Sequence, residues 1–158
     1  MSDLPASAVK VAEAASAAGL DLDIRIMAAS TRTAEEAAQA CGTSVAQIVK
    51  SLIFEGRESG LPLLFLVSGK NRVDEKVVAA HLGEGLRRPD AARVRELTGY
   101  AIGGIPPIGH ATAMAAYIDP DLLAFDEVWA AAGTPTAVFP VDPKELQRVA
   151  GAKELPMG

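Results

Sequence analysis

Aromatic side chains are scarce, with four Phe, two Tyr and one Trp in 158 residues. A core with so few rings must rest on Ala, Val, Leu and Ile. The single cysteine, Cys41, excludes an internal disulfide, and with it the small secreted scaffolds that such bridges hold together. His81 and His110 are the only histidines, and no Cys or carboxylate spacing completes a metal cage around them. No apolar run approaches the ~20 residues of a membrane-spanning helix. Met1-Ser-Asp-Leu-Pro-Ala-Ser lacks the basic and apolar regions of a signal peptide. A cytoplasmic protein without membrane contact is therefore expected. Val67-Ser-Gly-Lys-Asn lacks the glycine-rich approach of a Walker loop, and neither a dinucleotide fingerprint nor a nucleophile elbow occurs. No metal or organic cofactor is expected.

What is present fits one domain over residues 1–158, long enough for a sizeable core. Apolar residues make up 49% and charged residues 22%, as in ordinary globular chains. The net charge of −5 argues against a general nucleic-acid coat, but its distribution is uneven. Residues 50–100 hold nine Lys/Arg against seven Asp/Glu, and the remainder holds six against thirteen. Lys70, Arg72, Lys76, Arg87, Arg88, Arg93 and Arg95 belong to the positive part. They form either a solvated mixed surface or a patch that contacts a few phosphates.

Apolar spacing predicts a helix over 5–18, with Ala8, Val11, Ala12 and Ala15 on one face, and a short strand over 24–27. Thr33 with Glu36 makes a capping box for a helix that ends at Gly42, and Cys41 belongs to its apolar stripe, which favours a core thiol over a nucleophile. Thr43 or Ser44 caps a further short turn. Residues 47–54 and 63–67 read as adjacent strands joined by a hairpin over 55–60. Leu63-Leu-Phe-Leu-Val67 has no polar face, which suits a central strand covered on both sides. Helices are expected over 74–82 and 90–98, flanking a short segment at 86–88. Strands at 114–118, 127–131 and 137–140 come next, and a last helix opens at Asp142-Pro143. Strands and helices mix without regular βαβ alternation, so the expected class is α+β with a mixed sheet flanked by helices.

Two features carry chemistry. Gly103-Gly-Ile-Pro-Pro-Ile-Gly-His110 packs three glycines and two prolines into eight residues. Glycine permits close approach and positive φ, whereas proline fixes φ and removes a donor. Such a loop is either a rigid crossover or a set of N–H groups arranged for an oxyanion. The other is Lys50, which shares a strand face with Ile48, Leu52 and Phe54. A lysine there reaches solvent, pairs with an acid or serves a site. Ser68-Gly-Lys-Asn-Arg72 forms a polar, basic exit from the central strand.

Three segments in order, Gln47-Ile-Val-Lys-Ser-Leu52, Val67-Ser-Gly-Lys-Asn-Arg-Val-Asp74 and Thr98-Gly-Tyr-Ala-Ile-Gly-Gly-Ile-Pro-Pro-Ile-Gly-His110, together resemble the YbaK-type aminoacyl-tRNA deacylases. These are also called the prolyl-tRNA synthetase-associated editing domain family. The resemblance covers about residues 5–150. It implies a compact, partly barrel-like mixed fold with a small pocket, hydrolysing the ester of a mischarged small amino acid on tRNA, above all tRNA(Pro). Prolyl-tRNA synthetase is a further partner it suggests. The family's strand lysine falls on Lys50 and its glycine–proline loop on Gly103, Gly104, Pro107 and Gly109, which the resemblance makes catalytic. Pro106 and His110 replace the Ser and Gln usual in the cysteinyl-tRNA(Pro) branch. They point to a sibling branch for alanine or 2-aminobutyrate. Leu52, Phe54, Ser68, Ile105, Pro106 and His110 are expected to contact the aminoacyl group, and Lys70, Arg72 and Arg88 the tRNA.

Two rival classes stand beside this one. A non-catalytic module that holds tRNA or regulates a synthetase would not need Lys50 in an apolar strand. A hydrolase of an unrelated small ester would not need the basic segment 70–95.

Overall fold

In the computed structural model, which describes residues 4–158, the chain runs through five helices and eight strands. Met1–Asp3, the start of the stretch read for a leader, lie outside the described residues. The order is α1 (Ala6–Ala17), β1 (Arg25–Ile26), α2 (Ala34–Cys41), β2 (Val49–Gly56), β3 (Pro62–Ser68) and α3 (Glu75–Leu82). Then follow β4 (Leu86–Arg87), α4 (Ala91–Thr98), β5 (Ala115–Ile118), β6 (Val128–Ala131), β7 (Ala137–Val141), α5 (Pro143–Ala150) and β8 (Ala152–Glu154). Short 3₁₀ turns occupy Val45–Gln47 and Pro120–Ala124. No helix of the described residues is long and apolar enough to cross a membrane.

The apolar run of β3 sits at the centre of a five-stranded sheet ordered β4-β2-β3-β5-β8, antiparallel to β2 and parallel to β5. Its period-two alternation splits the core. Leu64 and Leu66 join a cluster with Val11 of α1, Val94 and Leu97 of α4, and Phe139 of β7. Phe65 and Val67 face the other way, against Phe54, Val78, Leu86 and Met157. Burial on both sides is what a strand without a polar face requires.

A second, antiparallel sheet is ordered β1-β7-β6. The two sheets meet at an isolated parallel bridge between Ile48 and Trp129. Around it Ala37, Ala38 and Val138 pack, with Cys41 half-buried among their neighbours. The mixed α+β architecture expected from the sequence is present. Its barrel-like character is limited to this junction, since no single sheet closes on itself.

Helix ends follow their sequence signals. The Thr33–Glu36 capping box forms, and Asp74, Asp90 and Asp142 each accept first-turn N–H groups. The sequence reading stopped at α5 and missed β8, which pairs parallel with β5 at Ala116, Tyr117 and Ile118. Three residues of weak strand character become a strand there only because β5 leaves an edge to cover.

Candidate active site between the two sheets

Strand β2 has an uncovered edge. Gly69 N–H donates to Ile48 O at 2.7 Å and Gly56 N–H to Leu61 O at 3.0 Å, so even-numbered residues of β2 turn their main chain toward β3. Odd-numbered residues turn outward, as Arg57 N–H shows by donating to Gly85 O at 2.9 Å. β4 pairs with that outer edge only at Glu55 and Gly56, and β6 reaches the other end only at the Ile48 bridge. Between them the main chain of Ser51 and Ile53 borders a cavity of about 410 Å³. Ala130 and Ala131 of β6, Ala34 and Ala37 of α2 and the Ile102–Ile105 segment form its other walls.

Lys50, Leu52, Phe54, Arg88, Gly103, Gly104 and Ile105 all line this cavity. Half-buried Lys50 donates through its ammonium to the main-chain carbonyl of Asn71. Burial, and then the charge of Arg72, hold its pKa below the ordinary lysine value, while Glu35 and Asp119 oppose that shift. Phe54 meets Phe65 edge-on at 5.4 Å and lies under the Arg88 guanidinium at 5.2 Å. Arg88 also pairs with Glu75 at 3.2 Å.

The facing loop is held by contacts that only glycine allows. Gly103 has φ 106°, and a Cβ there would stand 2.9 Å from Arg32 Nε. At Gly104 a Cβ would lie 2.6 Å from the carbonyl carbon of Thr134, and its own carbonyl accepts Gly133 N–H at 2.9 Å. The Gly104 N–H makes a long 3.4 Å bond to Ala101 O. Those of Gly103 and Ile105 have no hydrogen-bond partner among the described residues.

The rest of the predicted loop faces elsewhere. Pro106 and Pro107 are buried, and Tyr100 Oη donates to Gly109 O at 2.9 Å. His110 Nε2–H donates to Pro106 O at 2.7 Å, closing the loop on itself, and burial lowers the imidazole pKa. Pro107 and Gly109, expected to be catalytic, and Pro106 and His110, expected to contact the aminoacyl group, brace the loop and are not among the residues lining the cavity. Ser68 is buried, with its hydroxyl donating to Ala46 O at 2.7 Å. Lys70 lies 4.0 Å from Asp121, and Arg72 borders a separate cavity of about 250 Å³ beside Asn71, Asp119 and Asp121.

Sequence reasoning missed Arg32, whose side chain rests against Gly103 at the cavity wall. It stands in a loop just before a helix cap, where no periodicity marks it. It also missed Asp119, which follows the strand expected over 114–118. No group of three or more His, Cys, Asp or Glu able to hold a metal ion occurs among the described residues.

Comparison with known proteins identifies the family. The model of the aminoacyl-tRNA editing domain matches residues 28–149. The chain is 33% identical over 131 residues to the uncharacterized protein YwhH of Bacillus subtilis (strain 168), covering 83% of each. It is 37% identical over 79 residues, 49% of this chain, to a proline–tRNA ligase of Thermosipho melanesiensis, of which that stretch is 14%. A solved structure of a candidate trans-editing enzyme for prolyl-tRNA synthetase superposes with a TM-score of 0.92 at 51% identity, covering 98% of both chains. The chain belongs to the aminoacyl-tRNA editing domain family.

Proposed function

We propose that this protein is a trans-acting aminoacyl-tRNA deacylase. It hydrolyses the ester joining a mischarged small amino acid (Ala, Cys or 2-aminobutyrate) to the 3′-terminal ribose of a tRNA, foremost tRNA(Pro). The observation that carries this reading is the placement of Lys50 and the Gly103–Ile105 main chain on walls of one cavity. The likeness to a proline–tRNA ligase supports the choice of tRNA.

In this reading the Lys50 ammonium holds the aminoacyl group or the terminal phosphate. The N–H groups of Gly103 and Ile105 polarise the ester carbonyl and bind the oxyanion that develops when water attacks. The water oxygen bonds to the ester carbonyl carbon and the bond from that carbon to the ribose oxygen breaks. One water proton restores the ribose hydroxyl, and the other passes to solvent as the amino acid leaves as carboxylate. No His, Asp or Glu is among the cavity-lining residues to act as a base. The attacking water is therefore activated by the neighbouring ribose hydroxyl of the substrate.

Leu52, Phe54 and Ile105 narrow the space left for the side chain. A synthetase separates amino acids that differ by one methylene by only ~1–3 kcal/mol, so a second, smaller sieve removes what the first admits. The test is release of amino acid from a panel of charged tRNAs. Turnover of Ala-, Cys- or 2-aminobutyryl-tRNA(Pro), with Pro-tRNA(Pro) spared, is expected. Binding of tRNA without release from any member would make the protein a tRNA-holding module.

A further inference from the structure

We propose that Asn71 and Asp119 form a positioning unit that fixes the Lys50 ammonium at the cavity wall, a role that rests on the deacylase reading above. Lys50 is anchored by a main-chain carbonyl, that of Asn71, in the turn that follows β3. That turn is closed by Asn71 N–H donating to Ser68 O at 2.9 Å. A carbonyl in a surface turn moves with the turn, so it holds a lysine in place only if the turn itself is held.

Asp119 does this. Its residue is 2% exposed. Oδ2 accepts Ser68 N–H at 3.1 Å and Asn71 Nδ2–H at 2.8 Å, while Oδ1 accepts Asp121 N–H at 3.0 Å. The Asn71 amide donates in addition to Asp121 Oδ2 at 2.8 Å. An ionised carboxylate is an acceptor only, and donors here occupy both oxygens, which satisfies a buried charge. Capping the 3₁₀ turn at Pro120–Ala124 uses only Oδ1. Oδ2 is spent wholly on the two ends of the turn that carries the Lys50 acceptor.

Electrostatics points the same way. The charged groups acting on Lys50 are Arg72 beyond the turn, Glu35 on α2 and Asp119. Burial and then Arg72 work against the ammonium, whereas Glu35 and Asp119 sustain it. Neither Asn71 nor Asp119 lines the main cavity, so both act through Lys50 and not on the substrate.

The experiment combines kinetics with a direct reading of Lys50. Asn71→Ala keeps the acceptor carbonyl but frees the turn, and should lower kcat/KM for the aminoacyl-tRNA roughly tenfold or more. In a Lys50→Ala background the same change should have no further effect, because the two residues act as one unit. Nuclear magnetic resonance of ε-carbon-labelled lysine should show the Lys50 pKa falling in Asp119→Asn and in Asn71→Ala, with Asn71→Ala standing in should Asp119→Asn not fold. An unmoved Lys50 titration, or an Asn71→Ala defect of equal size with and without Lys50, would overturn the proposal. The lysine titration needs no substrate. If the wild type releases no amino acid while Lys50 still shifts, the deacylase reading fails and the positioning contact stands.

Discussion

Gly104 lies so close to Thr134 that a Cβ would stand 2.6 Å from the Thr134 carbonyl carbon and 2.8 Å from its Cα. The neighbours are main chain, which cannot swing aside as a flexible side chain would. The glycine–proline loop is thus seated on the β6–β7 turn, and its distance from Lys50 is set by that seat. Gly104→Ala should destabilise the fold by about 1–3 kcal/mol, as overpacking does. It should also reduce ester release further than that loss of folded protein explains. Thermal melting beside single-turnover deacylation checks this, and unchanged values of both would remove the seat from the mechanism.

Lys50→Ala tests the facing wall. The ammonium is half-buried and bonded to Asn71 O, so truncation removes one hydrogen bond and leaves a carbonyl near water. The variant should fold, with a melting temperature close to wild type. Deacylation should fall on the order of 10²-fold, the loss that misplacing a bound substrate by about 1 Å causes. Near-wild-type turnover by a folded variant would exclude the role.

How far the sequence anticipates this site depends on which way each side chain turns. Lys50 and Gly103–Gly104 were legible because each breaks a local rule: a charge in an apolar strand, and two adjacent glycines beside prolines. Strand β3 was legible because five apolar residues in a row admit no solvent face. Pro107, Gly109 and His110 belong to the same glycine–proline run, yet they are not among the cavity-lining residues, and composition alone does not say which side of a loop meets a cavity. Arg32 left no local trace, and Asp119 shows locally only as the cap of a short turn. Asp119 has one local partner, Asp121 N–H, but the partners that tie it to Lys50, Ser68 and Asn71, are far along the chain, as Gly103 is from Arg32. β8 exists through pairing with β5 and not through its own propensity.

His110 makes stability depend on pH. Burial lowers its folded pKa beneath the unfolded value of 6.5, and its Nε2–H is held by Pro106 O. A lowered folded pKa means that the unfolded chain binds the extra proton first as pH falls. The contribution is therefore complete above pH 6.5 and is lost below it, down to the folded pKa. The wild type should lose more melting temperature between about pH 7 and pH 5 than His110→Gln, which keeps an N–H donor but does not titrate. Equal losses would show that the ring is not the titrating group.

Lys70, Arg72 and Arg88 are the cations proposed to meet tRNA. Lys70 and Arg88 are exposed, each beside one carboxylate, Asp121 at 4.0 Å and Glu75 at 3.2 Å. Such exposed pairs are weak, so a phosphate competes for these side chains at little cost. Arg72 is exposed as well and sits near Lys50. Base stacking has less to offer: Phe54, Phe65 and Tyr100 are all buried, so the segment's aromatic faces are already used. Phosphate contacts should therefore dominate. Reversing Lys70, Arg72 and Arg88 to Glu should weaken tRNA binding most at low salt. Each lost contact should flatten the slope of log affinity against log salt by ~0.7–0.9. Measured across a salt series, identical affinities and slopes for wild type and triple variant would place the tRNA on another face, and a parallel loss at every salt concentration would mean that the substitutions act on the fold and not on phosphates.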